Sequence, residues 1–241
     1  MKIDKNYKVG EVVSTNIKTA HVFKKYGIDF CCGGGISIEK ACEKKQLLTD
    51  DLIVELMNVD NSILPSQNYR AWSLDLLVDY IVNTHHTYIK QAFQLLDDYT
   101  AKVSKVHGVH HPLLLEIEKL YHALKEELLL HMHKEEKVLF PYVRQMVHAF
   151  NSGMPRPLPQ FGYIANPIRM MEHEHDIAGD ICKEIASLTN NYTPPEWACN
   201  TLKAMYSKLN EFELDLHLHI HLENNILFPK AKEMENLATT M

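Results

Sequence analysis

The stretch HMHKEEKVLFP at residues 131–141 returns at 219–229 as HIHLENNILFP, 88 residues further along the chain. Both copies keep H-x-H-x-E-x-x-x-L-F-P in one register. Residues i and i+4 of a helix share a face about 6 Å apart along the axis. His131 therefore points with Glu135, and His219 with Glu223. A buried carboxylate is very costly to desolvate unless positive charge or strong hydrogen bonds meet it. A metal ion meets that need, and imidazole with carboxylate suits iron, manganese or zinc.

Working outward, each copy has a histidine-bearing segment before it. His86 precedes His131 by 45 residues, and His175 precedes His219 by 44. The chain from Trp72 reads as four long helices over roughly 72–100, 111–147, 164–189 and 195–235, with breaker-rich loops between them. In the second, Leu124, Leu128, His131, Glu135, Val138 and Tyr142 keep the rhythm of one buried face. Leu209, Phe212, Leu216, His219, Glu223 and Ile226 do so in the fourth, and Ile164, Ile168, Met171, His175, Ala178, Cys182 and Ile185 in the third. The expectation is an all-α protein whose core is an up-down four-helix bundle. Two helix pairs, each giving two histidines and one glutamate, describe a dinuclear metal centre.

In the first helix, His86 shares a stripe with Val78, Val82, Ile89, Phe93 and Leu96. His85 has a comparable stripe through Leu74, Val78, Ile81 and Ala92, so periodicity leaves the two near even. His133, His217 and His221 are expected to face outward or toward an edge. Glu127 and Asp215, four residues before His131 and His219, are candidates to hold the ligating imidazoles by hydrogen bonds or to line a path to the metals.

Residues 1–60 hold short helical segments around FKKYGIDFCCGGGISIEKACEKK, with Ser37 as a helix cap and a second helix over 49–58. The polar, proline-bearing stretch 61–70 is read as a linker, and 71–241 as the bundle. Gly33 to Gly35 predict a loop with access to positive φ. Its backbone N–H groups are placed to approach an anion or cluster and to lower the thiol pKa of Cys31 and Cys32. Adjacent cysteines rarely make a good mutual disulfide. Thiol redox exchange, metal or cluster contact and partner docking are the functional readings; the plain one is a tight turn with one buried and one exposed cysteine.

The chain has 241 residues, 46% hydrophobic and 23% charged, with a net charge of −6. Those values fit a globular protein with a sizeable core and give no basic footprint for nucleic acid. The absence of a long apolar run or a signal-like start argues for a cytoplasmic protein without a membrane segment. Five cysteines, an odd number, read as free thiols rather than a disulfide framework.

FKKYGIDFCCGGG near the start, with HMHKEEKVLFP, MEHEHDIAGD and HLHIHLENNILFP, resembles the RIC proteins. These are the iron–sulfur cluster repair di-iron family with a hemerythrin-like domain. The resemblance covers nearly the whole chain and implies six iron ligands: His86, His131, Glu135, His175, His219 and Glu223. It resolves His85 against His86 in favour of His86, and it implies functional roles for Cys31 and Cys32. It implies two iron ions in an oxo- or hydroxo-bridged centre, and repair of clusters damaged by nitrosative or oxidative stress through supply of iron. The implied partners are damaged iron–sulfur proteins or a cluster-assembly scaffold, with NO or O2 as small ligands. A homodimer, with the small domain docked on a neighbour's bundle, is compatible with the two-part chain. The alternatives are an NO-reducing enzyme, a gas or redox sensor, and a purely structural bundle.

Overall fold

A computed structural model describes residues 3–60 and 68–239; the expected linker thus lies, over 61–67, outside the described residues. The described residues form helices α1 (Val9–Thr15), α2 (Ala20–Lys25), α3 (Ile38–Lys45), α4 (Thr49–Met57), α5 (Leu74–Tyr80) and α6 (Thr87–His107). Helices α7 (Leu113–Lys134), α8 (Phe140–Asn151), α9 (Ala165–Leu188), α10 (Asn200–Leu222) and α11 (Phe228–Thr239) follow. Among the described residues the only β pairing is an isolated bridge between Lys8 and Ser37. Among the described residues no helix is long and apolar enough to cross a membrane. The fold is all-α, as expected.

The chain divides into two compact units. One comprises Met1–Val78, Val143–Leu158 and Leu218–Met241, the other Asp79–Tyr142 and Pro159–His217. In the second unit α7 packs along α6 and α9, and Phe93 of α6 meets Phe212 of α10 with ring centroids 5.6 Å apart. These four helices form the expected bundle. Each apolar stripe is buried: Ile89, Phe93 and Leu96 on α6; Ile117, Leu124 and Leu128 on α7; Ile168, Met171 and Ile185 on α9. Fully burying one such side chain contributes roughly 1.5–3 kcal/mol. Tyr121 fits among them because its hydroxyl donates to Asp97 Oδ1 at 2.7 Å, and Lys125 closes on Asp97 Oδ2 at 2.6 Å.

Helix α6 runs to His107, past the expected end near residue 100. Thr100 and Val103 are buried, so the apolar stripe continues into what reads as a loop. Gly108 ends it. A Cβ there would lie 2.5 Å from Ser104 O and 2.6 Å from Leu115 Cδ2, so only glycine lets the chain turn so closely.

In the first unit Val9, Val12, Val22, Phe23, Ile38, Cys42, Leu52 and Leu56 make a small core. Ser37 caps α3 by accepting from Lys40 N–H, as its position predicts. Gly33–Gly35 form a single 3-10 turn, and none of the three has positive φ. Glycine serves close approach here instead. A Cβ on Gly10 would stand 2.2 Å from Asn225 Oδ1, and one on Gly34 2.9 Å from the same atom. That leaves α1 and the glycine turn flush against the segment that follows α10.

Among the described residues three π-helical turns interrupt the long helices: Ile81–His86, Glu135–Leu139 and Glu223–Leu227. Two have a cause in the repeat itself. Pro141 and Pro229 lack an N–H, and their rings would press on the carbonyl four residues back, so the preceding turn widens. The Leu-Phe-Pro of each copy is thus the signature of a π turn that begins at the motif glutamate. Val138, expected on the buried face, is 47% exposed while Leu139 is buried; at the same positions of the second copy Ile226 and Leu227 are both buried. The first π turn has no proline. There Asn83 Nδ2 donates to Asp79 O and Thr87 Oγ1 to Val82 O, meeting carbonyls that the wide turn releases.

Candidate metal centre

Within the second unit, three of these helices bring four of the expected residues together. His86 Nε2 and His131 Nε2 each lie 3.3 Å from Glu135 Oε2. His175 Nε2 lies 3.0 Å from His131 Nε2. His131, Glu135 and His175 each offer a ligand atom within 4.8 Å of the others. All four side chains are buried, Glu135 completely. Within the first unit, His219 Nε2 lies 3.1 Å from Glu223 Oε1, and both are fully buried.

The hydrogen bonds on the outer ring nitrogens decide what the inner ones offer. Glu136 Oε1 accepts from His86 Nδ1 at 2.9 Å, and Glu174 Oε2 accepts from His131 Nδ1 at 3.0 Å. An imidazole that donates from Nδ1 presents a lone pair at Nε2. Those lone pairs face the Glu135 carboxylate, and His131 Nε2 faces another imidazole nitrogen. Such a set holds together only with positive charge among its atoms. Nitrogen and carboxylate donors in this number fit a first-row transition metal, and the carboxylate-backed histidine is a familiar way to orient and strengthen a ligand.

Burial acts to raise the carboxyl groups of Glu136 and Glu174, yet both are held below the usual range by the hydrogen bonds they accept. Lys90 and His86 act on Glu136, Lys134 and His131 on Glu174. Both glutamates therefore stay charged at neutral pH, as an orienting acceptor must. They are not the residues expected for this role. Glu127 is exposed, and Asp215 bonds His85 Nδ1 at 3.0 Å. The signal was partly present: Glu174 adjoins His175 in sequence, but it serves the imidazole of a different helix.

His85 and His86 are both buried. The π turn that ends at His86 makes room for two neighbouring inward side chains, which is why a 3.6-residue period could not separate them. His86 faces Glu135 and stacks on Phe140 at 5.8 Å; His85 turns to Asp215. His133 is exposed and His217 half-buried, but His221, expected to face outward or toward an edge, is fully buried. It lies 3.3 Å from Ser14 Oγ and 3.4 Å from Phe30 O, residues of the N-terminal segment that covers that helix face.

Cys31 is buried and Cys32 half-buried, where the turn reading expected one buried and one exposed cysteine. A hydrogen bond with Cys32, reinforced by burial, pushes the Cys31 thiol well up, opposite to the expected direction. The nearby Asp29 carboxylate adds to this.

A helical bundle with paired histidine and glutamate on its inner faces defines a hemerythrin-type cation-binding protein. Residues 77–231 match the hemerythrin HHE cation binding domain, and residues 5–60 match a domain of unknown function, DUF542. The chain is 33% identical over 222 residues to the iron-sulfur cluster repair protein ScdA of Staphylococcus haemolyticus (strain JCSC1435), covering 92% of this chain and 96% of that one. It is 35% identical over 223 residues to the iron-sulfur cluster repair protein YtfE of Enterobacter sp. (strain 638), covering 92% and 95%. The YtfE of Yersinia pseudotuberculosis serotype IB (strain PB1/+) is 34% identical over 227 residues, covering 94% and 97%. The chain belongs to this family of iron–sulfur cluster repair proteins.

Proposed function

We propose that the protein repairs iron–sulfur clusters damaged by nitrosative or oxidative stress, and that it does so with two iron ions held by His86, His131, Glu135, His175, His219 and Glu223. The observation that carries this reading is a wholly buried Glu135 carboxylate with two carboxylate-oriented imidazoles aimed at it. The twofold H-x-x-x-E register extends the same donor set to His219 and Glu223.

Iron in such a nitrogen and carboxylate environment supplies a ferrous–ferric couple and a place for NO or O2. The chain's own groups set the conditions. Glu136 and Glu174 hold two imidazoles with Nε2 inward, Phe140 fixes the His86 ring, and burial excludes bulk water. As cargo, ferrous iron would pass to a damaged cluster protein or an assembly scaffold, with the Cys31–Cys32 loop meeting the acceptor. The reading assigns the protein to the cytoplasm, and as a two-part chain it is compatible with a homodimer.

The test uses full-length protein purified without air and loaded with labelled ferrous iron. Added to an enzyme whose cluster NO has destroyed, it should restore activity and leave label in the enzyme. If neither reactivation nor label transfer occurs while the protein still holds its iron, the repair reading fails.

A further inference from the structure

In the first unit a second, chemically different donor set stands on the glycine turn. Asp29, Cys31 and Cys32 each offer a ligand atom, and these atoms lie within 4.8 Å of one another. We infer that Asp29, Cys31 and Cys32 form a second cation site, selective for a thiophilic divalent ion and distinct from the histidine–glutamate centre. It goes beyond the repair reading, since a thiolate site on this loop needs no cluster chemistry.

The loop is built to hold the three donors still. Asp29 Oδ1 accepts from the backbone N–H groups of Cys31 and Cys32, both at 3.0 Å, and from the Cys31 thiol at 3.2 Å. The carboxylate is thereby tied to the two residues that carry the sulfurs. Gly33 leaves it room, because a Cβ there would press on Asp29 Cβ at 3.1 Å and Cγ at 3.3 Å. Asn225 Nδ2 donates to Cys31 O at 3.0 Å and anchors the loop from outside. Donors fixed by their surroundings bind without reordering first.

The donor types select the ion. Two sulfurs and one carboxylate oxygen suit zinc or ferrous iron and disfavour magnesium or calcium, which take oxygen alone. Neighbouring cysteines do not readily satisfy each other as a disulfide. Asp29 and Cys32 are half-buried and Cys31 buried, so an ion arrives from one open side and is shielded on the other. Each thiol that becomes a ligand gives its proton to solvent, so binding tightens as pH rises.

Cobaltous ion is the probe, added to reduced full-length protein without air. A thiolate-to-cobalt charge-transfer band in the near ultraviolet separates thiolate ligation from the histidine–glutamate centre, because histidine and carboxylate ligands do not give it. Wild type should develop the band to saturation. Cys31→Ser/Cys32→Ser should lose it while still binding cobalt at the histidine–glutamate centre, and Cys199→Ser should keep it. Asp29→Asn and Gly33→Ala, which retain both sulfurs, should keep the band and need roughly 10–100-fold more cobalt to reach it. No band in wild type, a band undiminished in Cys32→Ser, or unchanged affinity in Asp29→Asn would overturn the site. None of these readouts depends on repair activity, so either idea can fail alone.

Discussion

His131 and His86 show how much of a metal site lies outside its ligands. Each imidazole is oriented by a glutamate, Glu174 or Glu136, that is itself steadied by a lysine. Replacing either glutamate by alanine frees the ring and lowers its basicity. Glu174→Ala and Glu136→Ala should each weaken iron binding by roughly 10–100-fold in a competition titration. His86→Ala should lose bound metal where His85→Ala does not, measured as metal per chain; equal losses would return His85 to the ligand set. His221 offers a pH signature. Burial lowers its pKa from the ordinary 6.5 to about 4. Above pH ~6.5 it costs nothing; between there and about 4 the unfolded chain takes up a proton that the folded chain refuses. Metal-free wild type should therefore lose on the order of 3 kcal/mol more stability across that window than His221→Gln, read by urea unfolding. Parallel pH profiles would mean that His221 is protonated in the fold.

Among the helices, the π turns and the glycine contacts carry the information. A plain helical wheel places ten of the stripe residues on α9 and α10 correctly; it errs at Val138, inside a π turn, while Tyr142 and Ile226 are buried as expected. The π turn itself was written in the chain as Leu-Phe-Pro, but it is recognised only when the backbone is followed through it. Docking of α1 depends on the absence of a side chain at Gly10. Gly10→Ala should destabilise the protein by roughly 1–3 kcal/mol, since Asn225 must give way. In an Asn225→Ala background the same change should cost measurably less, a coupling that a double-mutant cycle reads directly. Additive costs would show that the clash is relieved elsewhere.

For the whole molecule, buried carboxylates make the fold depend on its cation. Metal that binds only the native state adds about 2.7 kcal/mol at a concentration 100-fold over its Kd. Iron loading should raise the melting temperature of the wild type, and chelation should lower it. Glu135→Gln/Glu223→Gln, which removes both negative charges, should lose most of that shift; an undiminished shift would move the stabilising ion to other residues. By itself the sequence determined the helix class, the buried stripes and five candidate ligands, because period and i+4 spacing are local properties of one helix; the sixth, His86 rather than His85, came from the family resemblance. Only the tertiary structure decided which carboxylates orient His86 and His131, why His221 is buried, and where Asp29 meets the two thiols. Those are encounters between segments distant in the chain or bends within a loop, and no local periodicity records them.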